Sequence, residues 1–179
     1  MWYAVVFVAV LLLDQLTKIL SAYFSGGVEL GQPLITVIDG FLEITYVENR
    51  DGMMGFFDGI VGREFMFLIS TAVILVAIFI YMGVSKNRSK WRNFTLTLIL
   101  SGAFGNLIDR IVNFSDGAYV RDMIHIIINI GGKEYFPYIF NVADVALVVG
   151  AIMLILDLLF IDKEAIFRSS KKANEGKEE

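Results

Sequence analysis

The feature that most limits how this chain can fold is a set of four apolar windows, each long enough to cross a bilayer. They lie near residues 2–24, 65–84, 93–113 and 138–161. A helix needs about 20 mostly apolar residues to span the hydrocarbon core. The chain is 56% hydrophobic with a mean hydropathy of +0.67, whereas soluble domains are roughly 45–50% apolar. The windows predict an all-α membrane protein built as a four-transmembrane-helix bundle.

The first window has the length of a secretory signal peptide, but its residues favour a retained helix. It has no basic segment in front of the apolar run, and Asp14 and Lys18 lie inside that run. A cleaved signal would show the opposite arrangement, with the charge before an uninterrupted apolar core.

Basic residues are concentrated on one side of the predicted bundle, in the link between the second and third windows and in the segment after residue 162. Loops 25–64 and 114–137 hold fewer. Because cytoplasmic segments carry the excess of Lys and Arg, both chain ends and the link are predicted to be cytoplasmic. Residues 1–162 then form a single membrane domain, followed by a polar cytoplasmic tail at 163–179. The basic residues of the link and tail are Lys86, Arg88, Lys90, Arg92, Lys163, Arg168, Lys171, Lys172 and Lys177.

The two outward loops carry different patterns. FLEITYV, at 41–47, is rich in β-branched and aromatic residues and is flanked by turn-forming pairs, which predicts a small β-cradle on the outer face. Loop 114–137 contains the apolar run MIHIIINI, which predicts an interfacial segment on the outer face.

The composition excludes several kinds of chemistry. With no cysteine and a single histidine, His125, the chain cannot form disulfides, thiolate metal sites or thiol nucleophiles, and a histidine metal site is not expected. His125 is predicted to be interfacial rather than a ligand. No metal and no cofactor are predicted, so any chemistry must use carboxylates, amides, hydroxyls or basic groups.

Polar side chains interrupt three of the four windows, and with the predicted orientation they meet at the outer leaflet. A charge within the hydrocarbon costs at least ~2.5–3.5 kcal/mol on insertion scales, so these groups should face one another. On the predicted bounds, Asp144 would lie about 9 Å into the fourth helix, at 1.5 Å per residue. The groups are Asp14, Lys18, Asn106, Asp109, Arg110, Asn141 and Asp144.

Several of these residues have a purely structural interpretation. Asp14 with Lys18, and Asp109 with Arg110 across neighbouring helices, could be ion pairs that hold the bundle together. Asn106 and Asn141 could likewise form hydrogen bonds between helices. Small residues allow membrane helices to approach closely, which is the role predicted for the glycines at 102 and 105.

Asp122 and Asp144 fit a structural role less well. Asp122 lies in an apolar outward segment, and Asp144 has no basic residue within two turns of its helix. If the two carboxyls lie close together, both cannot ionise, so one keeps a proton near neutrality. The ionised carboxylate can then activate a water while the other protonates a leaving group. The pair predicts hydrolysis by general acid–base catalysis without a covalent intermediate.

Five motifs of the chain, taken in order, resemble those of the lipoprotein signal peptidases, the type II signal peptidase family of bacterial membranes. After Asn49 the chain departs from the family's usual N-x-G-A-A-F, because it reads Asn-Arg-Asp-Gly-Met-Met. The motifs are DQLTK at 14–18, VENRDGMMGFF at 47–57, GAFGNLIDRI at 102–111, YVRDM at 119–123 and FNVAD at 140–144.

The resemblance implies an intramembrane aspartic endopeptidase that cleaves prolipoproteins before a diacylglyceryl-modified cysteine. It implies that Asp122 and Asp144 are catalytic. It also implies a multi-pass protein of the bacterial cytoplasmic (inner) membrane, with its active site at the outer leaflet. The expected partners are the lipidated prolipoprotein and membrane lipids, with no nucleic acid, and the chain is expected to act as a monomer. The positions that match supporting or substrate-binding residues are Asp14, Asn49, Asn106, Arg110 and Asn141.

Two other classes of protein could carry intramembrane carboxylates. A proton-coupled transporter also uses them, but it usually places its site near the midplane, within broken helices or inverted repeats. A non-catalytic assembly protein with a polar clamp would tolerate asparagine at positions 122 and 144.

Overall fold

Four helices and a small antiparallel sheet make up the computed structural model of the chain, which describes residues 2–50, 63–84 and 89–161. The helices are α1 (Trp2–Phe24), α2 (Arg63–Val84), α3 (Lys90–Val112) and α4 (Val142–Leu156). A π-helical segment, Asp157–Ile161, continues α4. The methionine-bearing part of loop 25–64, residues 85–88 of the basic link and the tail at 163–179 lie outside the described residues.

Three of the described helical segments are long and apolar enough to cross a membrane: Trp2–Phe24, Lys90–Val112 and Val142–Ile161. They match the first, third and fourth predicted windows. Within α2 the described apolar stretch is shorter, Leu68–Met82. The span predicted at 65–84 therefore stays a prediction, and the predicted small sheet is present.

Helix α3 is the centre of the bundle. Its N-terminus is capped by Ser89, whose hydroxyl accepts a hydrogen bond from the Arg92 amide at 3.0 Å, as is usual for an N-cap serine. Its next turns are buried continuously from Thr95 to Ala103. A cluster of apolar side chains from α2 and α3 surrounds this stretch, including Leu75 and Leu100. Such burial leaves α3 as the element against which the other three helices pack.

Glycines set the distance between α3 and α4, as predicted for positions 102 and 105. A Cβ on Gly102 would lie 2.4 Å from the Ala143 carbonyl oxygen, and one on Gly105 would lie 3.0 Å from the Ala143 Cβ. A Cβ on Gly150 of α4 would lie 2.7 Å from Cγ1 of Ile99 on α3. Side chains at these positions would force the helices apart.

The strands are β1 (Ile35–Ile38), β2 (Leu42–Asn49), β3 (Val120–Ile126), β4 (Asn129–Ile130), β5 (Lys133–Glu134) and β6 (Ile139–Phe140). Four of them form an antiparallel sheet in the order β1-β2-β3-β6. The predicted strand at 41–47 is β2, and the predicted interfacial segment contains β3, where Val47 pairs with Asp122. A separate hairpin, β4–β5, lies between β3 and β6 in the chain.

The fourth helix begins later than its apolar window, which ran from 138. Ile139 and Phe140 pair with β3 instead, and Asn141 caps the helix through a capping box with Asp144. Asp144 is therefore the third helical residue and lies in the first turn. The predicted depth of about 9 Å was wrong, because an apolar run does not separate a short strand from the helix that follows it.

At the other end of the bundle, one ion pair joins α3 to the end of α4. Arg92 donates to Asp157 at 2.5 Å and to the Tyr81 hydroxyl of α2 at 3.1 Å. Asp157 is only 1% exposed, so its charge is compensated by this arginine. Arg92 therefore connects three helices.

Candidate active site

Asp122 lies on β3, where the sheet meets the helices. Its side chain is 2% exposed. The Asn49 side chain, at the end of the paired strand β2, donates to its Oδ2 at 2.8 Å. The Asn141 side chain donates to its Oδ1 at 2.6 Å. Both carboxylate oxygens of Asp122 therefore accept a hydrogen bond from an amide.

Asp144 lies in the first turn of α4 and is partly buried. The Asn106 side chain of α3 donates to its Oδ1 at 2.8 Å, and the backbone amide of Asn141 donates to its Oδ2 at 3.2 Å. The positive end of the helix dipole favours a negative charge at this position. Asp144 is thus held by α3 and by its own helix N-terminus.

Asn141 connects the two aspartates, and its side chain is fully buried. Its Oδ1 accepts from the Asp144 amide at 2.9 Å, as an N-cap requires. Its Nδ2 must therefore point the other way, where it donates to Asp122 and, at 3.2 Å, to Asn106 Oδ1. The cap of α4 thus fixes the direction of the hydrogen bonds between the two carboxyls.

Burial raises the pKa of Asp122 to about 7, and the negative charge of Asp144 also acts to raise it. The hydrogen bonds from Asn49 and Asn141 and the positive charge of Lys18 act in the opposite direction. Near neutral pH, Asp122 is therefore able to hold a proton or to release one. That property is what general acid–base chemistry requires.

The two aspartates open onto a cavity of about 720 Å³. Asn49, Asn106 and Arg110 line its polar end. The positive charge of Arg110 interacts favourably with the carboxylates of Asp144 and Asp122. The apolar walls come from α4 and from the segment that leads into β6, with Val145, Val148, Val149, Phe136, Tyr138 and Phe140.

Asp14 contacts the residue that precedes Asp144 on α4. Its Oδ1 accepts from the Ala143 amide of α4 at 2.9 Å, and its Oδ2 forms the predicted ion pair with Lys18 at 2.9 Å. Both side chains are fully buried. Asp14 therefore attaches α1 to the first turn of α4, where Asp144 lies.

Asp109 pairs with Arg121 and Lys18, two partners that its sequence spacing did not predict. It lies 2.5 Å from Arg121 Nη2 and 3.6 Å from Lys18 Nζ, and it accepts from the Arg121 backbone amide at 2.8 Å. Arg121 precedes Asp122 on β3, so the two side chains point to opposite faces of the strand. The sequence signal for Arg121 was its position next to Asp122, because a neighbour on a strand points to the opposite face.

Of the seven predicted site residues, five are joined by direct hydrogen bonds: Asp122, Asp144, Asn49, Asn106 and Asn141. Arg110 lies on the same cavity. His125 lies elsewhere on β3, with its Nδ1 3.6 Å from Glu43. Within residues 2–50, 63–84 and 89–161, no group of three or more His, Cys, Asp or Glu side chains could hold a metal ion.

The chain has relatives of known family. A family model described as signal peptidase II matches residues 6–160. The lipoprotein signal peptidase of Caldanaerobacter subterraneus is 38% identical over 84% of this chain and 92% of that one. The one from Clostridium acetobutylicum is 35% identical over 85% and 90%.

Solved structures agree with these relatives. Two structures of a bacterial membrane enzyme, determined by the in meso method, superpose with TM-scores of 0.71 and 0.73 at 31% and 30% identity. The first covers 90% of this chain and 92% of its own, and the second covers 88% and 92%. The family resemblance predicted from the five motifs is confirmed.

Proposed function

The chain belongs to the signal peptidase II family of lipoprotein signal peptidases, and on that premise we propose that it is an aspartic endopeptidase of the bacterial cytoplasmic membrane. It removes signal peptides from prolipoproteins by cleaving before the diacylglyceryl-modified cysteine. One observation carries the assignment of the catalytic pair: Asp122 and Asp144 share the Asn141 side chain and open onto one cavity.

The reaction needs one ionised and one protonated aspartate. The ionised carboxylate accepts a proton from a water, whose oxygen attacks the scissile carbonyl and forms a tetrahedral intermediate. The protonated carboxyl then gives its proton to the amine nitrogen as the C–N bond breaks. The products are the carboxylate end of the signal peptide and the free amino group of the lipidated cysteine. Arg110 and Asn49 line the cavity and orient the substrate carbonyls.

The cavity suits a substrate that is part peptide and part lipid. Its polar end holds the two aspartates, and Val145, Val148 and Val149 of α4 extend an apolar wall away from them. The signal helix enters sideways from the bilayer and packs against α2, α3 and α4, while the acyl chains stay in lipid. The active site faces the outer leaflet, both termini are cytoplasmic, and one chain acts as a monomer.

The rate of cleavage should follow a bell-shaped pH profile, because the pair works only with one proton. Above about pH 7 the rate should fall, since burial raises the pKa of Asp122 to about that value and its proton is then lost. At lower pH the rate should fall again when both carboxyls are protonated. The measurement is kcat/KM in detergent from about pH 4 to about pH 9, which reports the free enzyme's acid and base. A rate that keeps rising above about pH 8 would contradict the shared proton.

Asn141→Ser should separate the two roles of Asn141, which caps α4 and bridges to Asp122 by donating a hydrogen bond to it. Serine still accepts the Asp144 amide as an N-cap, so the capping contribution to stability should change by less than about 0.5 kcal/mol. It cannot reproduce the donor that bonds Asp122. The lost donor to buried Asp122 should lower the free energy of unfolding by about 1–3 kcal/mol. A hydrogen bond to a charged group contributes about 1.5–3 kcal/mol, so kcat should fall roughly 10- to 100-fold. Asn141→Ala should lose the same activity and a further ~1 kcal/mol of stability. Wild-type kcat in Asn141→Ser would exclude the bridging role.

The substrate assignment is tested by incubating the purified chain in detergent with one prolipoprotein prepared with and without the diacylglyceryl group. Mass spectrometry of both products should place the cut directly before the modified cysteine, and the unmodified protein should stay intact. Cleavage at another bond, or equal cleavage of both forms, would contradict the proposed substrate.

A further inference from the structure

Lys18 is the most completely buried cation among the described residues, with a side chain that is 0% exposed. Its Nζ lies 2.9 Å from Asp14 Oδ2 and 3.6 Å from Asp109 Oδ2. It also donates to Asn106 Oδ1 at 3.0 Å and to the Gly105 carbonyl at 3.4 Å. Neutralising Asp14 and Asp109 explains the first two contacts. It does not explain why the ammonium also bonds the amide that holds Asp144.

The contact with Asn106 determines which way that amide points. An ammonium has three donors and no acceptor, so the oxygen of Asn106 must face Lys18. The Asn141 Nδ2 donates to the same oxygen. The Asn106 Nδ2 is then directed at Asp144 Oδ1, 2.8 Å away. A flipped amide would place its NH₂ group against two donors and turn its oxygen toward a carboxylate.

Lys18 also acts on the pair through its charge. It lowers the pKa of Asp122 against the effect of burial, and its charge interacts favourably with that of Asp144. The charged groups around it are Asp14 on its own helix, Asp109 and Arg110 on α3, Arg121 and Asp122 on β3, and Asp144 on α4.

Among these groups, Lys18 and Arg121 balance Asp14 and Asp109, since two positive charges face two negative ones. Removing Lys18 therefore leaves an uncompensated negative charge that is separated from Asp144 by the Asn106 side chain. That charge opposes ionisation of the catalytic pair.

We propose that Lys18 is a positioning residue for the reaction: it orients the Asn106 amide toward Asp144 and keeps one aspartate of the pair ionised. This inference rests on the proposed function of Asp122 and Asp144. It assigns to α1 a part in catalysis that goes beyond joining the helices.

The test compares Lys18→Met with wild type in the detergent cleavage assay, with rates normalised to folded protein. Loss of the amide's orientation should lower kcat roughly 100-fold, as a small misplacement of a reacting group does, with KM changed less than about threefold. The acid limb of the pH–rate profile should move up by about one pH unit, because a stabilising charge has gone. A purely structural lysine would change the amount of folded enzyme and leave the shape of the profile unchanged.

Two further variants make the result specific. Lys18→Gln keeps an N–H donor within the cluster but removes the charge, so it should still shift the acid limb if Lys18→Met does not fold. Lys133→Met, at an exposed lysine of β5, is the matched control and should leave both kcat and the profile as in wild type. In an Asn106→Ala background, Lys18→Met should cost less than about threefold in kcat, since residues that act through one another are not additive.

An unshifted pH profile in the lysine variants, or a full additional loss of kcat in the Asn106→Ala background, would overturn the inference. Asp122→Asn is measured in parallel. If that variant cleaves normally, the proposed function itself fails. If it is inactive while Lys18→Met behaves as wild type, only the role of Lys18 fails.

Discussion

Asparagine in place of either Asp122 or Asp144 should lower kcat by at least about 10³-fold, since each aspartate carries a proton-transfer role that is typically worth 10²–10⁴. Asparagine has nearly the same shape as aspartate, but it can neither accept a proton from water nor deliver one to the leaving amine. Two general acid–base groups that act on one proton do not substitute for each other. The double variant should therefore be no slower than the slower of the two single variants.

The structural effect of these substitutions should be small by comparison. Each aspartate accepts two hydrogen bonds, Asp122 from Asn49 and Asn141, and Asp144 from Asn106 and the Asn141 amide. An asparagine keeps one acceptor and sets its NH₂ group against one donor. The loss of stability should be about 1–3 kcal/mol, the range for one unsatisfied buried group, which leaves a folded chain to assay.

Asp39→Asn is the matched control, because Asp39 is an exposed aspartate in the turn between β1 and β2. Its rate of cleavage and thermal unfolding in detergent should equal those of wild type. Processing at the wild-type rate by either Asp122→Asn or Asp144→Asn would refute the catalytic assignment. It would favour a non-catalytic clamp, which needs the shape of these side chains and not their protons.

Gly102→Ala should have the second large effect, because it acts on the fold and the site together. The added Cβ would meet the Ala143 carbonyl oxygen at 2.4 Å and Leu147 Cγ at 2.8 Å. A backbone carbonyl cannot rotate away as a flexible side chain can, so α4 must move away from α3. Overpacking of this kind costs typically about 1–3 kcal/mol.

The same displacement should slow catalysis. Asn106 on α3 and Asp144 on α4 are joined by a 2.8 Å hydrogen bond, which lengthens when the helices separate. A shift of about 1 Å can cost 10²-fold in rate, so kcat should fall roughly 10- to 100-fold. Thermal unfolding and the cleavage assay measure the two effects on the same preparation.

Gly26→Ala provides the control for the glycine substitution. Gly26 lies in the turn after α1, and its nearest neighbour for an added Cβ is the Tyr23 carbonyl oxygen at 3.7 Å, an ordinary contact. This variant should match wild type in stability and rate. Wild-type stability in Gly102→Ala would mean that α3 and α4 are not as closely packed as their glycines indicate.

Some residues of the site could be predicted from the sequence and others could not. Asp122 stood out because it lies in an apolar outward segment, and Asp144 because its helix has no basic residue within two turns. Both lie on one cavity with Asn49 and Asn106, and the Asn141 side chain bonds the carboxylate of Asp122 and the backbone amide of Asp144. The predicted depth of Asp144 within the fourth helix was wrong, because hydropathy does not reveal that Ile139 and Phe140 belong to a strand. Arg121 was missed, because its partner Asp109 is on another element.

Local residue chemistry determined the apolar helices, the strand at 41–47 and the use of carboxylates and amides, since these depend on composition and spacing along the chain alone. The tertiary structure decided which cation meets which carboxylate, which way the amides of Asn106 and Asn141 point, and where glycine is required. Those features depend on atoms of separate elements that meet within a few ångström. Hydrogen-bond direction and close packing are set by that meeting, and no spacing within a single helix or strand specifies it.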